Sequence, residues 1–352
     1  MKEVAARAGV SLMTVSRVLR NHPHVSTEVR RKVEQAVRET GYRANPLVGA
    51  WMAHLRTTKA RGANQQTIAF LTGETERYGW KRSLTVRNYY EGAVDRGQRL
   101  GFSLEHLWLG ETGMTPARMS GIMRARGITG LLIAPLPRPV DSLDLDWEAF
   151  APVIFGYSMR SPPLHRATNH QIHTMRLAIQ KVIEAGHQRI SLAMESSKDA
   201  RVDHNWSTGF FPHYLKTREA DRIPPFLPEK MTASGLLEWY EKHRPDVILG
   251  GRQDMVDWLR KAGHRVPQEV GFASLEYYPE YGNMAGVDQN SHTIGAAAMD
   301  LVIEQLYHNE RGIPATPKVV MIEGQWVEGS TIRKPSDPRL EPEARPTPSP
   351  SR

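Results

Sequence analysis

The sequence predicts a molecule in two parts: an all-α head with a helix-turn-helix, then an α/β body of two doubly wound parallel-sheet lobes. Three observations lead there. Apolar residues recur at helical spacing through residues 1–44 and are interrupted by glycine. From residue 66 to 333, short apolar runs alternate with helix-period segments, the pattern of parallel strands buried by helices on both faces. The formal net charge is +8, and residues 1–61 carry all of it, with twelve Lys or Arg against four acids. A small basic head on a neutral body is the footprint of a module that neutralises phosphates, although a solvated helix face would look the same by charge alone. At 352 residues the chain also exceeds the roughly 250–300 residues that one core sustains, so more than one packed unit is expected.

The head comes first. Val4, Ala5 and Ala8 share one helix face, and Gly9 supplies the backbone freedom of a tight turn. Ser11 is an N-cap for a second short helix, in which Val15, Val18 and Leu19 point inward while Leu12, Met13, Ser16 and Arg17 lie on other faces. Two short helices across a glycine turn make a helix-turn-helix. A third helix starts after Ser26, with Val29, Val33, Ala36 and Val37 as its apolar stripe and Gly41 as its stop. Asn45 and Pro46 form a cap and first-turn pair for a further helix through Val48, Ala50, Met52 and Leu55, too short to be stable alone.

In the body, QTIAFLT at 66–72 reads as a strand and YYEGAVDRGQRLG at 89–101 as a helix. Strands continue as LEHLWL, GLLIAPL, APVIFGY, RISLAM, DVILGG and VGFASL, with helices at 117–126, 173–185, 206–217 and 253–262 between them. One sheet of that size would be unusual, so the polar stretch 158–168 is read as a loop crossing into a second lobe. The assignment is therefore a helix-turn-helix domain over 1–44, a hinge helix and linker over 45–65, a two-lobed body over 66–333, and a disordered tail over 334–352, where six prolines fall in the last eighteen residues.

Several chemistries are excluded at this level. Without cysteine there are no disulfides, thiolate zinc sites or cysteine nucleophiles, which fits a reducing, cytoplasmic setting. The opening MKEVAARAGVS lacks a secretory signal, and no apolar run reaches the length of about 18 residues that a membrane span needs, so no membrane partner is expected. HExxH, GxSxG, GxGxxG and P-loop motifs are absent, and no cofactor is implied. His165, His170 and His173 lack an acid at ligand spacing and read as loop and helix-start histidines, not a metal site.

The run EVAARAGVSLMTVSRVLRNHPHVSTEVRRKVEQAVRETGYRANPL resembles the head of the LacI/GalR family of transcription regulators nearly without gaps. That resemblance implies a homodimer on a palindromic operator in double-stranded DNA, with the second helix in the major groove. Leu12 and Met13 would stand at the variable positions facing base edges, where they reach thymine methyls or exclude water but make no bidentate contact. Arg17 would reach a guanine or a phosphate, and Ser11, Thr14, Ser16, His24 and Ser26 would meet phosphates, each serine being equally an ordinary helix cap. Asn45 would open a hinge helix that wedges the minor groove. The wedge position falls on Trp51 with Met52 beside it: either Met52 intrudes and Trp51 packs on its dimer mate, or the site opens more widely. The family's threonine before the first helix is absent here, which means either an upstream start or one phosphate contact fewer, worth about 1 kcal/mol.

The body resembles the family's ligand-binding region, itself similar to periplasmic sugar-binding proteins, through YYEGAVDRGQRLGF, RGITGLLIAPL, AIQKVIEAGHQRISL, GHRVPQEVGFASL and AGVDQNSHTIGAAAMDLVIEQL. It implies a repressor controlled by a small-molecule effector of carbohydrate type between the lobes, with chain recrossings near 288–293 and 317. Open α/β sheets bind ligands outside the carboxyl ends of their strands, which singles out Glu74, Arg77, Tyr78, Arg201, Arg252, Glu276 and Gln289. Glu276 matches an acidic effector-binding position and Gln289 a crossover residue. Arg252 stands where many relatives have asparagine, and this argues against a neutral hexose or purine. The helices over 89–101 and 292–307 are the expected dimer surfaces.

Overall fold

The computed structural model describes residues 2–19, 25–40, 66–136 and 143–333. The head is three helices: α1 (Lys2–Ala8), α2 (Leu12–Leu19) and α3 (Thr27–Thr40). Gly9 takes φ +64 between the first two, as the tight turn requires. Val4, Val15 and Val33 are fully buried, with Ala5, Val18 and Ala36 closing a core of small residues. Arg7 Nε donates to Glu39 at 2.9 Å and ties α1 to α3 across the surface.

The chain divides into two compact units, residues 1–168 with 291–321, and residues 169–290 with 322–352. The first unit holds a six-stranded sheet in the order β10-β5-β4-β3-β1-β2. Its strands are β1 (Gln66–Thr72), β2 (Phe102–Trp108), β3 (Gly130–Ile133), β4 (Ala151–Phe155), β5 (His165–Asn169) and β10 (Val319–Ile322). β1 pairs in parallel with β2 and with β3, so the winding direction reverses at β1. Ala69, Leu71, Leu131 and Ile133 face one side, against Met119 and Met123 of α5 (Pro116–Ala125). The other side carries Phe70 and Phe155, with Tyr90 and Tyr89 of α4 (Leu84–Arg99) packed on them at 5.1 and 4.7 Å between ring centroids.

Helix α4 crosses α11 (Ser291–His308) through glycine, closely enough that neither contact residue tolerates a Cβ. A methyl on Gly92 would stand 1.9 Å from the His292 carbonyl oxygen, and one on Gly295 2.1 Å from that of Tyr89. Arg96 Nε to Asp300 (2.7 Å) and His292 Nε2 to Asp95 (3.0 Å) flank the crossing. The glycine faces of the two helices expected to dimerise are therefore used inside one unit.

The second unit has five strands in the order β11-β9-β8-β7-β6: β6 (Ile190–Ala193), β7 (Val247–Gly250), β8 (Gly271–Ser274), β9 (Gly286–Asp288) and β11 (Gln325–Val327). All are parallel except β11 on β9. β7 shows the two-sided burial of such strands. Val247 and Leu249 join Met175, Val182 and Phe210 of α6 (Gln171–Glu184) and α8 (Asn205–Lys216), while Ile248 joins Leu236, Trp239 and Leu259 of α9 (Ala233–His243) and α10 (Asp254–Lys261). Beyond β6 a parallel bridge, Ala193 to Phe226, stands where a full strand would reverse the winding.

Three sequence expectations change. The stretch 158–168 is not simply a loop: β5 lies in it, and the unit boundary falls between Thr168 and Asn169. His165 is no surface histidine but 5% exposed, its Nδ1 accepting from the Lys318 N–H at 2.8 Å. α4 begins at Leu84, five residues before the expected helix start, because Ser83 caps it by accepting from the Val86 N–H.

Candidate functional site

In the head, the Ser11 hydroxyl accepts from the Thr14 N–H at 3.1 Å and lies 2.9 Å from the Thr14 hydroxyl, so two hydroxyls sit together at the N-terminus of α2. Ser26 likewise caps α3, accepting from the Val29 N–H at 3.4 Å. Arg17, in the last turn of α2, is exposed and has no carboxylate partner among the described residues. Two of the head's acids are already answered. Hydrogen bonds from Arg7 and Gln35 hold the Glu39 carboxyl below its ordinary range, and Lys32 does the same for Glu28. What α2 offers a partner is thus cationic and rich in hydroxyls. Leu12, Met13 and Ser16 have their backbone in α2, whereas His24, Asn45, Trp51 and Met52 lie outside the described residues.

The second unit carries a pocket lined by Met194, Glu195, Lys198, Trp206, Gly251, Arg252, Met255, Leu275 and Glu276. Its position follows from the fold. Met194 and Glu195 follow β6, Gly251 and Arg252 follow β7, and Leu275 and Glu276 follow β8, so three parallel strands deliver their carboxyl ends to one place. Lys198 comes from the short helix α7 (Ser196–Arg201) and Trp206 from α8.

Charges in the pocket are largely paired. Arg252 Nε donates to Asp254 Oδ1 at 2.9 Å and its Nη2 to the other oxygen, while Nη1 lies 3.6 Å from Glu195. The hydrogen bond to Asp254 raises the Arg252 pKa further, and the guanidinium lies 5.2 Å from the centre of the Trp258 ring. Glu276 accepts from the Tyr278 hydroxyl at 3.1 Å. Burial, then Glu276, Glu280 and Asp254, push the Tyr281 phenol up to about 12, a sign of local negative potential. Chemically the pocket combines half-buried carboxylates with an indole wall, which suits a ligand with hydroxyl donors and an apolar ring face.

A family model described as bacterial regulatory proteins, lacI family, matches residues 1–45, and a periplasmic binding protein-like domain matches residues 179–332. The HTH-type transcriptional regulator CelR of Thermobifida fusca is 28% identical over 334 residues, covering 87% of this chain and 91% of its own. The chain belongs to the LacI family. Catabolite control protein B of Bacillus subtilis is also 28% identical, over 328 residues. In fold, this LacI-family chain is similar to a transcriptional regulator CelR-cellobiose complex, with TM-score 0.57 at 18% identity over 94% of this chain and 98% of that one. It is a DNA-binding transcriptional regulator, not an enzyme, with a periplasmic-binding-protein-like body. Among the described residues no helix is long and apolar enough to cross a membrane.

Of the effector residues expected from sequence, the structure brings Arg252 and Glu276 together in the pocket. Arg201 is not among the residues that line it and stands in the last turn of α7. Gln289 is 6% exposed and donates its amide to the Leu275 carbonyl at 2.8 Å, a brace beneath the strand end that carries Glu276. Glu74 and Tyr78 lie in the first unit after β1, with Tyr78 well exposed. Glu195 and Lys198 were missed. The rule that picks out Arg252 and Glu276, the residues just after a short apolar strand, applied to RISLAM also picks out Glu195.

Proposed function

We propose that this LacI-family chain is a repressor that binds a roughly palindromic operator as a homodimer and changes its grip when its body binds a small-molecule effector of carbohydrate type. The observation that carries this reading is Arg17, exposed and without a carboxylate partner among the described residues, on a helix whose N-terminus presents two hydroxyls, in the same chain as a carboxylate-and-indole pocket. In this reading Arg17 meets a guanine edge or a phosphate, Ser11, Thr14, Ser16, His24 and Ser26 meet phosphates, and Leu12 and Met13 lie against bases. Asn45 opens the hinge helix, with Trp51 or Met52 as its wedge. On the effector side the candidate contacts are Glu74, Tyr78, Arg201, Arg252, Glu276 and Gln289, of which Arg252 and Glu276 line the pocket of the second unit.

The test is selection of duplexes from a random pool by the full chain at two salt concentrations, with Arg17→Ala in parallel. One palindromic motif, bound more weakly at higher salt and more weakly by Arg17→Ala, supports the reading. If Arg17 holds a phosphate, its removal lowers the salt slope by about one; if it reads a guanine, removal costs about 1–3 kcal/mol and relaxes the motif at one position. A folded protein that selects no motif would overturn the reading. Addition of a sugar panel to the operator complex then reads the effector arm, with Glu276→Gln expected to abolish any response.

A further inference from the structure

The pocket of the second unit, lined wholly by residues between 194 and 276, has room for one functional group of a ligand: its cavity is about 40 Å³, where a single water needs about 10–15 Å³. The chemistry of the lining says which group. Carboxylates outnumber cations there, because Glu195 and Glu276 line the cavity and Asp254 adjoins it, against Arg252 and Lys198. The guanidinium of Arg252 is committed: Nε and Nη2 donate to Asp254, and Nη1 lies 3.6 Å from Glu195. The Trp206 indole, 8% exposed, and the side chains of Met194 and Met255 complete the wall. We propose that this pocket receives an ammonium group, which makes the effector an amino sugar. This inference rests on reading the body as an effector-binding module.

Three features of the pocket support it. The Glu195 carboxylate is held in place, with Oε1 accepting from the Met231 N–H at 3.1 Å, and a half-exposed ammonium already stands beside it: Lys198 Nζ lies 3.8 Å from Oε2. The chain thus shows within itself the pairing that a ligand amine would make. Glu276 accepts from the Tyr278 hydroxyl at 3.1 Å, and since a carboxylate offers about four acceptor sites, it can hold that hydroxyl and a cation together. The potential beside the pocket is negative, as the Tyr281 phenol reports: burial, then Glu276, Glu280 and Asp254, push it up to about 12. Other ligand groups fit this setting less well. A carboxylate or phosphate would meet Glu195 and Glu276 with Arg252 already held by Asp254, and a neutral hydroxyl would leave the surplus negative charge unanswered. An ammonium answers it, and an indole attracts a cation and not an anion.

The test is calorimetric titration of the full chain with glucosamine, galactosamine and mannosamine, each against its parent hexose and its N-acetyl form, which keeps the nitrogen and loses the charge. Glucuronate and galacturonate supply the anionic arm. At least one amino sugar should bind tenfold or more tightly than both its parent and its N-acetyl form, with the uronates weakest. Glu195→Gln, which keeps an acceptor for the Met231 N–H, should reduce that preference below threefold. Lys198→Ala, at a half-exposed position, removes the competing ammonium and should raise it at least twofold. Glu238→Gln, which removes the same charge from an exposed position on α9, should preserve it. A preference that survives Glu195→Gln, or that Lys198→Ala fails to raise, overturns the assignment. So does tighter binding of the parent hexoses or the uronates, which would leave the effector reading standing if Glu276→Gln abolishes that binding. Failure of a folded protein to bind any of these sugars overturns the assignment and counts against the effector reading as well.

Discussion

Replacing Gly92 or Gly295 by alanine should destabilise the first unit even though alanine is the better helix former. The added methyls would stand 1.9 and 2.1 Å from carbonyl oxygens of the facing helix, where ordinary contact begins at 3.4 Å. For Gly92→Ala, α4 and α11 must part by roughly 1.5 Å, enough to forfeit most of the dispersion between them. With about 20–30 atom pairs at about 0.1–0.2 kcal/mol each, the loss is about 2–6 kcal/mol. Alanine returns about 1 kcal/mol through helix propensity, leaving a net cost of about 1–5 kcal/mol, a range that includes the cost of overpacked cores. The flanking ion pairs are half-exposed and do little to hold the crossing shut. Gly97 supplies the contrast. A methyl there meets the flexible end of Met299 at 3.1 Å, so Gly97→Ala should be neutral or stabilising by up to about 1 kcal/mol. Urea unfolding followed by tryptophan fluorescence reports on this unit through the buried Trp80. A Gly92→Ala protein that unfolds at the same urea concentration as the parent, or a higher one, would refute the reasoning.

Other expectations can be checked in the same unfolding and binding assays. Ser11→Ala removes the hydroxyl that caps α2 and should cost the head about 1 kcal/mol, read as a lower melting temperature of the head's helical signal and weaker operator binding. Arg189 donates to the carbonyls of Arg244, Ala220 and His243 at 3.1, 3.1 and 2.7 Å; Arg189→Lys cannot span all three and should lower stability of the second unit by about 2 kcal/mol in urea. The folded state keeps His106 neutral to about pH 4, whereas its ordinary value is 6.5. Stability from this group is therefore complete above pH 6.5 and lost as pH falls from there toward 4, and His106→Gln should flatten that part of the urea-midpoint profile.

The head was legible because its signals are local. Gly9, Ser11 and Ser26 act on backbone within three residues of themselves, and the valine and alanine stripes have helical period. Strands β1, β3, β4, β6, β7 and β8 were legible for a different reason: buried on both faces, they are continuous apolar runs. β5, with the sequence HRATN, has no such run, and its burial comes from β4 on one side and β10 on the other. α9 was missed because Gly235 falls in its first turn, where Thr232 caps it by accepting the Gly235 N–H at 3.1 Å. Pocket residues after strand ends were accessible to the topological rule, but the state of Arg252 was not. Sequence shows a cation at that position, and only the fold shows it spent on Asp254 and Glu195.

The chain passes between the two units three times, after Thr168, Asn290 and Met321, and this sets the order in which a ribosome can deliver a finished molecule. The head's core, as the described residues show it, lies within the first 40 residues and is complete early in synthesis. The first unit has five of its strands by residue 169, yet it waits more than a hundred residues for α11 to cover α4, and longer for β10 to close its edge. The second unit ends on β11, three residues beyond β10. Both sheets are therefore sealed within the same short stretch of translation, long after the head is ready. A stop codon just before residue 319 would remove an edge strand from each unit at once and release a folded head attached to an unfinished body.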